Sequence, residues 1–597
     1  MAAAESSLLS SKQRYALKTA LAMSIAFLVP MWQGWPNATT ALTTVMLIAV
    51  FGPLGDSLYK GVLRTAGTLL GAIVGMSLVA LFPQERWYYL AALSLPVVFL
   101  LHLARRYRDD PTFFVLAAVT MMSMFQNGNI DNLFITAATK TAMTVWGIFV
   151  YTMVGILILP VRFETTTRQT MHTLTRRLEA LLFAPPSRIK PLQKLYEAKD
   201  AFHTAVETHT QTAISDDLPR RTWRRIAAYF DEAVALATLL HNTSPRHDRK
   251  QRTLRQMLRC LRDKTPALCF KNTSCRIPEA PHDFYDKLCQ TLHRIATFLH
   301  TPHHGTSLSP KPFRPMIAED ILASLMTLGV YWTAVAFWIS ANPPGGFFLV
   351  VLAVVLGLYT LMTPLSPGVL FVAFTLSFLI ATAAYVFILP NLSTGWQLAL
   401  FIFLYGYIGF AFIPAEATFL FLLPLTLFGI RNTQLYAFDL FLLLLLMFYL
   451  FLFLLLFFDY IPISHRPQER IRALRRSIFK EIAAQLSRHR VSIDKLRTLR
   501  QSFKPWVAKL DNAYFGLESA SWQRYLTRLA HIEALLPFAE TLPESLRHDM
   551  AEYLTKRCDM PPNAAYPPET RALIDALCAF VQEDAHIAWH KLKESRF

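Results

Sequence analysis

The sequence predicts an all-α integral membrane protein of two repeats, each of about six transmembrane helices followed by a helical cytoplasmic domain. Two observations carry that expectation. Of the 59 Lys and Arg residues, 48 fall within 161–317 and 463–597, which leaves 11 for the rest of the chain. The rest divides into apolar runs of roughly 16–25 residues, the length that crosses ~30 Å of hydrocarbon. The divisions are a first bundle at 1–160, a basic domain at 161–317, a second bundle at 318–462 and a second basic domain at 463–597.

In the first bundle the apolar runs fall near 15–32, 38–54, 65–82, 88–103, 112–126 and 141–160. In the second they fall near 319–340, 346–363, 368–390, 396–414, 415–430 and 437–461. Pro and Gly punctuate the short connections, as at Trp35-Pro36, Gly52-Pro53, Pro83, Pro343-Pro344-Gly345-Gly346, Pro390 and Pro414. The halves echo each other: Met31-Trp32 is matched by Phe337-Trp338, and Pro83 by Pro390. Pro160 and Pro462 each precede an Arg-rich amphipathic stretch. With a soluble block between them, both halves are expected to share one orientation, related by a pseudo-twofold along the membrane normal.

Loop charge sets that orientation. Lys12, Arg14, Lys60, Arg64, Arg105, Arg106 and Arg108 fall on the N-terminal side, against Arg86 and Lys140 on the other. The positive-inside rule then places the N-terminus and both soluble domains in the cytoplasm. The first apolar run has no small-residue cleavage site after it and is read as a retained span.

The soluble blocks carry 26 basic against 14 acidic and 22 against 16 side chains, and together account for the net charge of +18. Beside membrane spans, such a surface suits anionic lipid headgroups, and no nucleic-acid partner is expected. Apolar residues at helical spacing in 170–183, 222–241 and 471–486 predict amphipathic helices. No GxxxxGK phosphate loop is present, and neither an enzymatic activity nor a cofactor is expected. The six cysteines form no CxxC pair, which fits a reduced setting. Cys269, Cys275, His282, Cys289 and His293 are too loosely spaced to predict a metal site.

The run from Lys60 to Gly75, KGVLRTAGTLLGAIVG, places Gly67, Gly71 and Gly75 on one helix face behind Arg64. Such a strip lets a second helix approach closely. This run, with the plan of spans and soluble blocks, resembles the fusaric acid resistance (FUSC) family over essentially the whole chain. Within that family the likeness is to the aromatic carboxylic acid exporters and p-hydroxybenzoic acid efflux subunits. The turn Trp338-Ile339-Ser340-Ala341-Asn342-Pro343-Pro344-Gly345-Gly346 resembles the family's turn after its seventh span. The chain departs from the pattern at Lys140, where an arginine is expected, and in lacking a second Arg-x-x-Gly-Thr element. The resemblance implies an inner-membrane, multi-pass bacterial exporter of small organic acids, with a periplasmic membrane-fusion protein and a homo-oligomer as possible partners.

An ionisable group within a bilayer is costly, so each is a functional candidate. Lys18, Arg64, Lys140 and Arg431 are substrate-path candidates. Their structural readings are snorkelling for Lys18, an orientation anchor for Arg64, and an ion pair with Asp439 for Arg431. Asp320, Glu416 and Asp439 are proton-coupling candidates, each also explicable as a charge favoured at a helix N-terminus. Gly67, Gly71 and Gly75 are helix-packing candidates. Two rivals to export stand beside it: a non-transporting scaffold that recruits proteins or lipids through the soluble domains, and a transporter of a lipid or envelope precursor.

Overall fold

The computed structural model describes residues 11–51, 58–107, 110–124, 133–158, 163–183, 189–208, 220–243, 248–262, 284–300, 313–342, 347–362, 367–426, 428, 430, 438–460, 467–488, 491–513, 519–556 and 567–586. Among these the chain is all-helical and divides into two compact units, 1–161 with 316–466, and 162–315 with 467–597.

The first unit opens with α1 (Ser11–Trp32), α2 (Ala38–Phe51), α3 (Leu58–Leu81), α4 (Arg86–Arg106), α5 (Thr112–Ser123) and α6 (Leu133–Leu157). The second unit contributes α7 (Phe163–Phe183), α8 (Ile189–Thr208), α9 (Arg220–Thr243), α10 (Asp248–Cys260) and α11 (Phe284–His300). The chain then returns to the first unit as α12 (Ala318–Ala341), α13 (Phe348–Met362), α14 (Pro367–Ala383), α15 (Gly395–Ala411), α16 (Ala415–Leu422) and α17 (Phe438–Tyr460). It ends in the second unit as α18 (Pro467–Leu486), α19 (Asp494–Ala513), α20 (Ser519–Leu535), α21 (Glu544–Lys556) and α22 (Pro568–His586).

Among the described residues, six helices are long and apolar enough to cross a membrane: α1, α3, α4, α6, α12 and α14, the last continued to Asn391. Five shorter apolar stretches lie in α2, α5, α15, α16 and α17. A 12-residue helix such as α5 rises only ~18 Å, short of the ~30 Å core. About twelve spans are expected; among the described residues six helices meet both the length and the apolar requirement, while α17 is 23 residues long with its described apolar stretch at Phe441–Leu450. Prolines distort two of these apolar helices. Pro390 has no N–H for the helix ladder, and α14 loosens ahead of it into a π turn at Ala384–Ile388, then tightens at Leu389–Asn391. α16 likewise passes into a tight turn, Leu423–Thr426, that contains Pro424.

Helices from both halves interleave in this unit. α1 runs antiparallel to α15: Ser24 donates to the Ala399 carbonyl at 3.3 Å, Gly406 lets Met23 and Ala20 approach, and the Tyr15 and Phe410 rings meet at 5.7 Å. α4 runs antiparallel to α12: the Tyr331 hydroxyl donates to the Leu90 carbonyl at 3.0 Å, and the Arg86 guanidinium lies 4.5 Å above the Trp338 ring. Asn342 closes α12 with a φ of 41°, a left-handed conformation that asparagine tolerates.

The second unit packs both basic blocks around shared apolar and ionic contacts. Trp223, Ile226, Phe230 and Val234 line one face of α9 at helical spacing, all buried, in a cluster that includes Ala530 and Ala534 of α20. Beside it lies a partly buried ion network, with Arg500, Glu533 and Lys199 at its buried centre. Arg500 reaches Asp200 at 2.8 Å and Glu533 at 2.7 Å, while Arg497 reaches Asp231 at 3.0 Å and Glu533 at 2.9 Å. Lys199 and His203 complete the surroundings of Asp231 at 3.1 and 2.7 Å. Burial alone would push the Glu533 carboxyl up, but Arg500, Lys199 and Arg497 outweigh it and hold it at about 2. Burial likewise opposes ionisation of Asp231, and His203, Lys199 and Arg497 hold it well below the usual carboxylate range. His531, buried and near Arg528 and His241, is pushed down to about 3 and shares a 3.0 Å hydrogen bond with Tyr196 as a neutral ring.

Candidate anion path in the first bundle

The glycine strip is where α3 meets α5. A methyl group added at Gly67 would fall 2.5 Å from the Phe113 carbonyl oxygen, one at Gly71 would strike the Ala117 carbonyl, and one at Gly75 would fall 2.9 Å from the Met121 carbonyl. All lie inside ordinary van der Waals contact, so the two backbones touch only because these positions carry no side chain.

One turn back along the same face, the Arg64 Nη2 donates to Asp110 at 2.7 Å and its Nε donates to Thr112 Oγ1 at 2.9 Å. Asp110 also accepts the Thr112 backbone N–H at 3.0 Å, which holds the carboxylate at the start of α5. Arg64 is 1% exposed. An apolar run starting near Thr65 puts Arg64 at the mouth of the helix; α3 instead starts at Leu58, and Arg64 lies inside the bundle.

Further polar groups gather at this end of α1, α3 and α6. The Lys18 Nζ, buried, donates to the Gly155 carbonyl in the last turn of α6 at 3.0 Å. The Tyr15 hydroxyl donates to the Ala49 carbonyl at 2.6 Å and lies 3.4 Å from the Tyr151 hydroxyl, whose ring faces the Arg64 guanidinium at 5.7 Å. Lys60 is buried, and so is the Thr152 hydroxyl, which has no hydrogen-bond partner among the described residues. Gly61 makes room for Thr152, since a methyl group there would lie 2.9 Å from the hydroxyl oxygen.

Near the other end of α6, Lys140 is partly buried and its Nζ donates to the Ser123 carbonyl, the last residue of α5, at 3.3 Å. Lys18 and Lys140 thus both sit against orphan carbonyls at helix C-termini, where the dipole favours a cation. An ammonium has three donors, and among the described residues nothing takes the other two of Lys140. The Thr139 and Thr144 hydroxyls flank it, donating to carbonyls of their own helix.

The remaining candidates are dispersed. Asp320 accepts the Ile317 backbone N–H at 3.1 Å at the start of α12, with Arg105 at 4.0 Å. Asp439 lies exposed in the first turn of α17, and Glu416 stands in the first turn of α16. Arg431 lies outside the described residues, as do Cys269, Cys275 and His282. Cys260 is disulfide-bonded, a correction to the expectation of reduced thiols. A bridge needs only two Cα atoms within about 7 Å, which spacing along the chain does not report. Among the described residues no group of three or more His, Cys, Asp or Glu side chains could hold a metal ion.

Sequence reasoning missed Asp110, Tyr15, Tyr151 and Thr152. Their sequence signal is weak, since Asp110 falls in a charged loop and the others are single polar residues in apolar runs. Residues 12–308 match the family model described as the fusaric acid resistance protein family. No curated protein matches the chain.

Proposed function

Because the chain belongs, over its first bundle and the soluble block that follows, to the fusaric acid resistance protein family of membrane transport and efflux proteins, we propose that it exports small organic acids, aromatic carboxylates foremost, as anions. The observation that carries this reading is Lys140, an ammonium inside an apolar bundle with donors to spare. Lys18, held at the level of Gly155, lies 15 residues further along α6, ~22 Å by helical rise. An anion moving between the two levels would meet a cation at each, with Tyr15, Tyr151 and Thr152 beside the first. Arg64, neutralised by Asp110, acts in this reading as the lock of the α3–α5 seam.

The direction is outward from the cytoplasm across the inner membrane, with the N-terminus and soluble unit cytoplasmic, as the loop charges favour. Moving one anion out of a negative interior gains about 2.3 kcal/mol per 100 mV, roughly a fifty-fold gradient. A periplasmic membrane-fusion protein would carry the acid onward. The two six-helix halves are repeats in this reading. Exchange of the halves turns the α1–α15 contact into the α12–α4 contact, and the α5–α13 contact into the α16–α2 contact; all four are present.

Deletion of the gene and its re-expression test the reading. The deletion strain should accumulate aromatic acids from a panel supplied in the medium, and re-expression should restore efflux. Unchanged accumulation of every acid would sink it.

A further inference from the structure

His102 of α4 has no role in the path described above. It is the one histidine among the described residues of the first unit. Imidazole is the side chain whose ordinary titration falls between pH 5 and 8, and an ionisable group in a membrane helix is kept at a cost. His102 also sits in a particular place, the contact between α4 of the first half and α12 of the second.

Its Nδ1 lies 2.7 Å from the Ser324 Oγ. The Ser324 hydroxyl donates to the Asp320 carbonyl at 2.9 Å, so its oxygen is left to accept, and Nδ1 carries the hydrogen. The neutral ring then keeps its basic nitrogen at Nε2, for which no partner exists among the described residues. One turn along, the Arg105 guanidinium and the Asp320 carboxylate face each other at 4.0 Å across the same seam. Among the described residues, the charged side chains on elements packed against α4 are Asp320 on α12, Lys60 and Arg64 on α3, and Asp110 just before α5; Arg105 and Arg106 lie on α4 itself near His102, and Arg86 at its other end. Arg64 and Asp110 offset each other, as do Arg105 and Asp320. A proton arriving at Nε2 therefore adds one charge to a polar seam between the halves without breaking the Ser324 bond.

We propose that His102 Nε2 is the proton-binding site that couples anion export to the pH gradient. In this scheme one proton from outside binds Nε2 while the anion site is open outward, and leaves to the cytoplasm before the next anion loads. No other bond forms or breaks. The proposal rests on the export reading.

The test uses the full chain in proteoliposomes with 4-hydroxybenzoate as probe, an acidic interior and the potential clamped at zero. A weak acid left to itself collects on the alkaline side, so accumulation in the acidic interior reports proton exchange through the protein. Wild type should accumulate the probe. His102→Gln and His102→Asn should each lose this accumulation by about tenfold or more, yet exchange labelled for unlabelled probe at close to the wild-type rate. Exchange moves no net protons and reports a folded carrier, and Asn retains an N–H in reach of Ser324 should Gln fail to fold. Accumulation retained by the folded variants overturns the proton site and leaves export standing. Wild type that accumulates under an imposed potential but not under a pH gradient overturns it too. Wild type that exchanges no probe overturns the export reading itself.

Discussion

Arg64 and Asp110 stand 46 residues apart in the chain and 2.7 Å apart in the bundle, and the same offset carries Gly67 to Phe113, Gly71 to Ala117 and Gly75 to Met121. α3 and α5 thus lie parallel in one register, closed by an ion pair at one end and by absent side chains along the rest. The basic edge and the glycine strip are two parts of one contact.

Breaking that ion pair should be more harmful than removing it. Arg64→Ala or Asp110→Ala strands a buried charge, a loss of about 3–5 kcal/mol, while Arg64→Met with Asp110→Leu should recover most of it. Thermal unfolding of the detergent-solubilised protein checks this. Single variants that melt with wild type would show that the pair carries no load.

Gly71→Ala should lower the melting temperature and the yield of folded protein, since the new methyl meets the Ala117 carbonyl, a backbone atom that cannot rotate away. Gly395→Ala is the control, because nothing lies within 4 Å of a methyl there and the backbone is unstrained. Equal effects at the two positions would contradict the seam.

How far the sequence disclosed these features depends on their range. Gly67, Gly71 and Gly75 announce a close helix contact because four-residue spacing is a local pattern, but nothing local names α5 as the partner. Lys18 and Lys140 stand out as charges in apolar runs, while the carbonyls of Gly155 and Ser123 that hold them are backbone atoms with no sequence signature. Asp110 reads as loop charge until the fold sets it beside Arg64. The ion network is the extreme case. Arg500 pairs with Asp200 over 300 residues, between two blocks whose sequences look like separate basic domains.

The network should also register acid. Glu533 in the unfolded chain takes up its proton near its ordinary value of 4.5, and in the folded protein only near 2. The folded state therefore gains stability that is fully present above pH ~4.5 and is lost as pH falls toward 2, about 3 kcal/mol in all. His531 adds to the loss from its ordinary 6.5 downward, since the unfolded ring protonates there and the folded ring only near 3. Glu533→Gln should reduce hydrogen-exchange protection of α20 in the full chain at neutral pH, and the gap from wild type should narrow toward pH 2. A gap independent of pH would contradict the charge-based account.

The central claim, that organic anions leave along α6 of the first bundle, is tested most directly by efflux of preloaded 4-hydroxybenzoate from deletion cells carrying wild type or Lys140→Met at equal membrane abundance. Loss of the ammonium should slow efflux by about tenfold or more, with the Lys140→Arg variant retaining most of the rate. Efflux by Lys140→Met at the wild-type rate would contradict it.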